Sequence, residues 1–249
     1  MKTRLRNVVG GKICITDQVA AECAGAGADP NAIWIARFSS GHLSGTNHDT
    51  RLLHAAVVME RPDLTRALLE HGANVHITDG MGFTPLHFAA WLGNPELIAL
   101  LLDHCADPDA RLDLPSAATF PVYMRLLGYT PLHVAAAAGQ TNAIALLVQR
   151  GAALEGTNNH GLTPLNTVKA GAALGSRLHH SAVPTFYVSG MPKRIDLLPL
   201  HYAAAEETIH FLRTLGAKAT PPPSAPSPSP PGIPRFPSFP TPSSLPAKR

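Results

Sequence analysis

The phrase Thr84-Pro85-Leu86-His87-Phe88-Ala89-Ala90 returns as Thr130-Pro131-Leu132-His133-Val134-Ala135-Ala136 and again as Thr163-Pro164-Leu165-Asn166. Worn copies stand at Leu52-Leu53-His54-Ala55-Ala56 and Leu198-Pro199-Leu200-His201-Tyr202-Ala203-Ala204. A chain built this way does not close around one central core; each unit buries its apolar face against its neighbour, and at least three units are needed. Arg51 to Thr84 is 33 residues and Thr130 to Thr163 is 33, while Thr84 to Thr130 is 46, one period plus 13. A second phrase keeps step with the first. Leu68-Leu69-Glu70-His71-Gly72-Ala73-Asn74, Leu101-Leu102-Asp103-His104-Cys105-Ala106-Asp107 and Leu147-Val148-Gln149-Arg150-Gly151-Ala152-Ala153 place Gly72, Cys105 and Gly151 each 21 residues after Arg51, Thr84 and Thr130.

The two phrases read as a pair of helices. A threonine hydroxyl caps free N–H groups at a helix start, and proline at the first helical position gives up an N–H that had no partner. Thr84-Pro85 and Thr130-Pro131 therefore begin helices. Leu86 and Leu132 point inward, and the alanine pairs keep the helix slim for close stacking. Asn94-Pro95-Glu96 repeats the device, with Glu96 at the positive end of the helix dipole and Leu97, Ile98, Leu100 and Leu101 at core spacing. Gly72 and Gly151 suit a left-handed helix end. Cys105 in that slot costs about 1 kcal/mol.

A 33-residue period carrying T-P-L-H-x-A and L-L-x-x-G-A-D resembles the ankyrin repeat, over residues 51–165 and more loosely over 1–50 and 166–219. The resemblance implies an all-α solenoid of about four to five helix pairs with short β-hairpin projections. It also implies a platform for binding proteins, with no reaction centre. Residues 1–50 are expected to form a degenerate N-terminal cap, with a possible helix start at Asp17, the end of an earlier repeat at Gly27-Ala28-Asp29-Pro30-Asn31, and a loop insertion at 32–50. Residues 51–219 carry the repeats, interrupted near 110–127 and 170–197. A fourth repeat begins at Thr163 and loses its pattern after Val168, and Leu215-Gly216-Ala217 closes a last, shortened one. Residues 220–249, rich in proline and serine, are expected to be disordered with polyproline II character.

Net charge is +3, with no basic run beyond Lys2, Arg4 and Arg6, so nucleic acid is not the favoured partner. Gly10-Gly11-Lys12 interrupt the start before a secretory apolar core forms. No stretch approaches the ~18 apolar residues that span a bilayer, so no membrane is expected. Three cysteines, Cys14, Cys23 and Cys105, without a C-x-x-C pair, point to a reducing compartment, cytoplasmic or nuclear.

His54, His87, His133 and His201 fall one per repeat, stacked along the solenoid without converging, which opposes a metal site. His179-His180 with Cys105 or His160 would need a coincidence of fold. Gly41-His42-Leu43-Ser44-Gly45 has the wrong order for a nucleophile elbow, Gly10-Gly11-Lys12 lacks phosphate-loop spacing, and there is no H-E-x-x-H. No cofactor, metal or reaction is expected.

Carried over by the resemblance, the partner surface comprises hairpin tips and the exposed side of the inner helices. The tips are Thr78, Gly80, Met81 and Phe83, and Thr157, Asn159, His160 and Leu162. The inner-helix pairs are Val58-Met59, Trp91-Leu92 and Ala137-Ala138. The family usually has polar residues in these pairs, so the apolar row of Val58, Met59, Trp91 and Leu92 suggests a binding hot spot. The alternative is self-burial: the 32–50 insertion or the 110–127 insertion, with Leu112, Leu114, Phe120, Val122, Tyr123 and Met124, folds back over the groove. The expected function is a non-enzymatic adaptor, targeting or scaffold protein holding a protein in its concave groove. An accessory or substrate-binding subunit of an enzymatic assembly, such as a ubiquitin ligase or kinase complex, stands as the other reading. A small-molecule site using His179, His180 and Tyr187 would require those side chains to share a pocket. The tail offers a ligand for SH3 or WW domains, set against a solvated, unread tail.

Overall fold

The computed structural model describes residues 30–31, 33–40, 43–79, 82–113, 127–175, 185–186, 195–196 and 202–218. The expected features at Asp17, at His179, His180, Tyr187 and His201, and in the proline-rich tail lie outside these residues.

Among the described residues, eight helices fall into four pairs: α1 (Leu52–Val58) with α2 (Pro62–Glu70), α3 (Pro85–Leu92) with α4 (Pro95–Asp103), α5 (Pro131–Ala137) with α6 (Thr141–Gln149), and α7 (Pro164–Gly175) with α8 (Tyr202–Thr214). The first helix of each pair lies against the first of the next, and second helices do the same, giving two stacked layers. Leu53, Leu86, Leu132 and Leu165 occupy one position in successive first helices, and all are buried. Leu97, Ile98, Leu101, Ile144, Leu147 and Leu212 fill the space between layers. Each such side chain contributes about 1.5–3 kcal/mol by leaving water. Ala89, Ala90, Ala135 and Ala136 are buried where helices meet, which is why these positions stay small.

The helix starts follow the local chemistry. Asn94 Oδ1 accepts from the N–H groups of Glu96 (3.1 Å) and Leu97 (3.2 Å) ahead of α4. All four second helices end alike, with Ala73, Ala106, Ala152 and Ala217 donating N–H to the carbonyls of Leu68, Leu101, Leu147 and Leu212 at 2.9–3.0 Å. This closure puts the residue between helix and alanine in left-handed backbone, φ +86° at Gly72 and +65° at Cys105. Cys105 therefore carries the strain that its position implies.

The last closure corrects the reading of the C-terminal half. Thr163 and Leu215-Gly216-Ala217 are the two ends of one repeat. The helix pair α7 and α8 pack together like the other pairs, with 53 residues from Thr163 to Gly216 in place of 21. The worn phrase at 198–204 runs into α8 and opens no separate pair among the described residues.

Between repeats, a side chain four residues past the closure position holds the next repeat's backbone. Asn31 Oδ1 accepts from Asn74 N–H (2.8 Å), Asp109 Oδ1 from Ala153 N–H (2.9 Å) and Glu155 Oε1 from Lys218 N–H (2.7 Å). His76 stands in the corresponding place between the closures at Gly72 and Cys105.

The 32–50 stretch, expected as a loop, is a β-hairpin of β1 (Ile33–Ser40) and β2 (Leu43–Arg51), antiparallel, with a register shift between Arg37 and Ser39. Ile33-Trp34-Ile35 are strong strand formers. A second small hairpin pairs β3 (Thr185–Phe186) with β4 (Ile195–Asp196).

Candidate functional site

The fingers between repeats share one turn. Asp79 N–H donates to Phe83 O and Gly82 N–H to Asp79 O, both at 3.0 Å; Asn158, Leu162 and Gly161 repeat the pattern at 3.0 Å. Leu112, Tyr129 and Gly128 repeat it at 2.8 Å. The 13 extra residues therefore sit inside this turn, between Leu112 and Gly128, and not across 110–127. In β1–β2 the backbone of Trp34 faces Thr50, sixteen residues on, where Asp79 faces Phe83 four residues on, so the first finger is enlarged in the same place. Asp79 Oδ1 accepts from Phe83 N–H (2.8 Å), and Asn158 Oδ1 from Leu162 N–H (3.0 Å). Leu112 has no side-chain acceptor to offer and is fully buried instead, so this residue, expected in the insertion, belongs to the repeat and its core; Leu114, Phe120, Val122, Tyr123 and Met124 lie outside the described residues.

Successive fingers touch. A Cβ added at Gly82 would meet the backbone of Asp113, and one at Gly128 would meet Asn159. Arg111 ties the last two fingers, donating from Nη1 to Thr157 O (2.9 Å) and from Nη2 to Asn159 Oδ1 (2.8 Å). Sequence reading missed Arg111, because nothing marks it until the turns are stacked.

The histidines fasten each inner helix to the next finger. Nε2–H of His54, His87 and His133 donates to the carbonyls of Phe83 (3.0 Å), Tyr129 (3.1 Å) and Leu162 (2.9 Å). A carbonyl only accepts, so the proton is on Nε2 and Nδ1 is an acceptor. Thr84 Oγ1 and Thr130 Oγ1 fill that role as donors to Nδ1 at 2.8 and 2.9 Å. Burial pushes all three imidazoles down to about 4, against the support of the carbonyl bonds. Among the described residues, no group of three or more His, Cys, Asp or Glu side chains is placed to hold a metal, and no helix is long and apolar enough to cross a membrane.

The inner-helix row is apolar and partly open. Met59, Trp91, Leu92, Ala137 and Ala138 are half-buried at the ends of α1, α3 and α5. Gln140 Nε2 donates to Trp91 O (3.3 Å) and fixes the backbone beneath the indole. Two expected members are corrected. Val58, 4% exposed, belongs to the core. Phe83, 3% exposed, is turned inward by the Asp79–Phe83 backbone pair and lies against His87 and Phe88, with centroids 5.9 and 5.3 Å apart. Thr78, Thr157, Asn159 and His160 are exposed along the fingers, and Leu162 is half-buried. Met81 lies outside the described residues.

Comparison with known proteins adds the family. A model described as ankyrin repeats (many copies) matches residues 53–113, and one described as ankyrin repeat matches 127–159. The chain is 47% identical over 70 residues to Regulatory protein NPR5 of Arabidopsis thaliana, covering 27% of this chain and 14% of that protein. It is 37% identical over 78 residues to human Protein phosphatase 1 regulatory subunit 27, covering 30% and 51%. Against human 2-5A-dependent ribonuclease it is 43% identical over 74 residues, covering 29% and 10%. The matched stretch is thus at most about half the length of these relatives.

Proposed function

We propose that this chain, which carries ankyrin repeats over residues 53–113 and 127–159, is a protein-interaction module that acts as a non-enzymatic adaptor docking a protein partner on the Met59, Trp91 and Leu92 row. The observation that carries this reading is the partly open indole of Trp91 beside Leu92 and Met59, on a scaffold fastened beneath it. An amphipathic aromatic flanked by aliphatics is what anchors protein interfaces. Thr78, Asn159 and His160 along the fingers would supply the polar rim. The name of one relative, Protein phosphatase 1 regulatory subunit 27, supports the related reading that the partner is an enzyme to which this chain is accessory.

Proximity labelling in the chain's own cell identifies candidate partners, and purified binding then tests the row. Met59→Ala with Trp91→Ala is expected to weaken the partner by at least about 30-fold, from a hot-spot loss of about 2 kcal/mol or more. Trp91 packs against the core, so the melting temperature should fall, but less than for a fully buried aromatic. Phe83→Ala serves as the contrast: it opens a core cavity, costs about 3–5 kcal/mol of stability and lowers the melt strongly. Full partner affinity in the Met59 and Trp91 double variant would refute the docking row.

A further inference from the structure

We propose that the proline-rich segment 219–249 of this chain is the resident ligand of the Met59, Trp91 and Leu92 row, so that docking of a partner is self-inhibited. The inference rests on the docking reading above and supplies an occupant for the same surface.

Four observations converge. The first is chemistry. The row offers a half-buried tryptophan with half-buried Leu92 and Met59, and the small Ala137 and Ala138 at the corresponding positions of the next repeat. Proline-rich segments dock on such aromatic-lined surfaces, because their extended helix is preformed and little entropy is lost. Twelve prolines lie between Pro221 and Pro246, interleaved with Ile233, Phe236 and Phe239. The second is charge. The first three repeats, residues 51–165, which carry the row, contain ten Asp and Glu against six Arg, a net of −4, although the whole of 51–218 nets only −1; 219–249 contain Arg235, Lys248 and Arg249 and no acid, a net of +3. Opposite signs on the row-bearing repeats and the segment favour their association.

The third is the anchor. Lys218 N–H is held by Glu155 Oε1 at 2.7 Å, so the segment departs from a fixed point on the last repeat junction. The fourth is reach. Helices pack about 8–10 Å apart, so Trp91, two repeats back, is roughly 20 Å away. At about 3.1 Å per residue, the chain from Lys218 to Ile233 spans roughly 45 Å. A tethered ligand of this length sees an effective concentration in the millimolar range, at which even a weak contact is populated.

The test uses the full chain with Trp34→Phe, which leaves Trp91 as the sole tryptophan. One variant reverses the segment's charge with Arg235→Glu, Lys248→Glu and Arg249→Glu; another breaks its polyproline character with Pro230→Gly, Pro231→Gly and Pro234→Gly. Both should raise acrylamide quenching of Trp91 roughly twofold, as its covered face returns to water, and a synthetic 219–249 peptide added in trans should reverse the rise. Partner binding should tighten in both variants. Unchanged Trp91 quenching in both variants overturns the proposal, as does a segment that binds SH3 or WW domains while leaving Trp91 quenching untouched. If Met59→Ala with Trp91→Ala still costs partner affinity in that event, the docking row stands without its resident ligand.

Discussion

The middle repeats and the end repeats are built on one plan but fastened differently. In the middle, Thr84 sits over His87 and Thr130 over His133, each threonine donating to Nδ1 while Nε2–H reaches the next finger. At the first repeat Arg51 stands where threonine belongs, and both Arg51 Nε and His54 Nδ1 are buried without a hydrogen-bond partner. At the fourth, Asn166 replaces the histidine, and Thr167 Oγ1 and Thr208 Oγ1 are buried without hydrogen-bond partners. An unmet buried polar group costs about 1–3 kcal/mol. Cohesion in this solenoid is therefore concentrated between α3 and α6, beneath Trp91 and Leu92, and thins toward both ends.

The largest expected effect comes from acid. The three imidazoles stay neutral in the folded chain, with values near 4, but titrate near 6.5 when unfolded. Above pH 6.5 neither state takes up their protons. As pH falls from 6.5 toward 4 the unfolded state binds up to three more, so stability drops by as much as about 4 kcal/mol per pH unit. With typical domain stabilities of about 5–15 kcal/mol, unfolding should precede pH 4. Urea melts at descending pH measure this, and a midpoint flat from pH 7 to 4.5 would speak against the buried histidine ladder.

Next in size, His87→Ala should cost about 3 kcal/mol through lost bonds and a cavity, and His54→Ala about half that, since His54 Nδ1 has no bond to lose. Equal losses in denaturant melts would erase the distinction between middle and end. Arg51→Thr should move the first repeat toward the middle ones by supplying the missing cap and donor, a gain of about 1 kcal/mol. A loss of stability would mean that the Arg51 bond to Asn31 O matters more than the cap. Smallest, His76→Asn should restore the inter-repeat bond made elsewhere by Asn31, Asp109 and Glu155, adding roughly 0.5–1 kcal/mol. No rise in the melt would show that the bond in those places is incidental.

The same contrast explains what was legible in the sequence. Thr84-Pro85, Asn94-Pro95 and the Gly72, Cys105 and Gly151 closures act through neighbours a few residues away, so their roles follow from local chemistry alone. Pairing Thr163 with Gly216 required knowing that an insertion separates two halves of one repeat, and a periodic pattern interrupted that long reads as two fragments. For the candidate row, alignment placed Met59, Trp91 and Leu92 on the partly open side. It misplaced Phe83 and Val58, because position in a repeat does not tell which way a side chain turns; Phe83 faces His87 and Phe88 only through its backbone exchange with Asp79. Arg111 gains its role from two carbonyl-side partners 46 and 48 residues away, and no local signal carries that.

Native-state hydrogen exchange tests the graded cohesion most directly. Amides in α3 to α6 should exchange slowest and only through global unfolding, while those in α1, α2 and α8 open at lower free energy. Uniform protection from α1 to α8, or the slowest exchange in α8, would contradict the account.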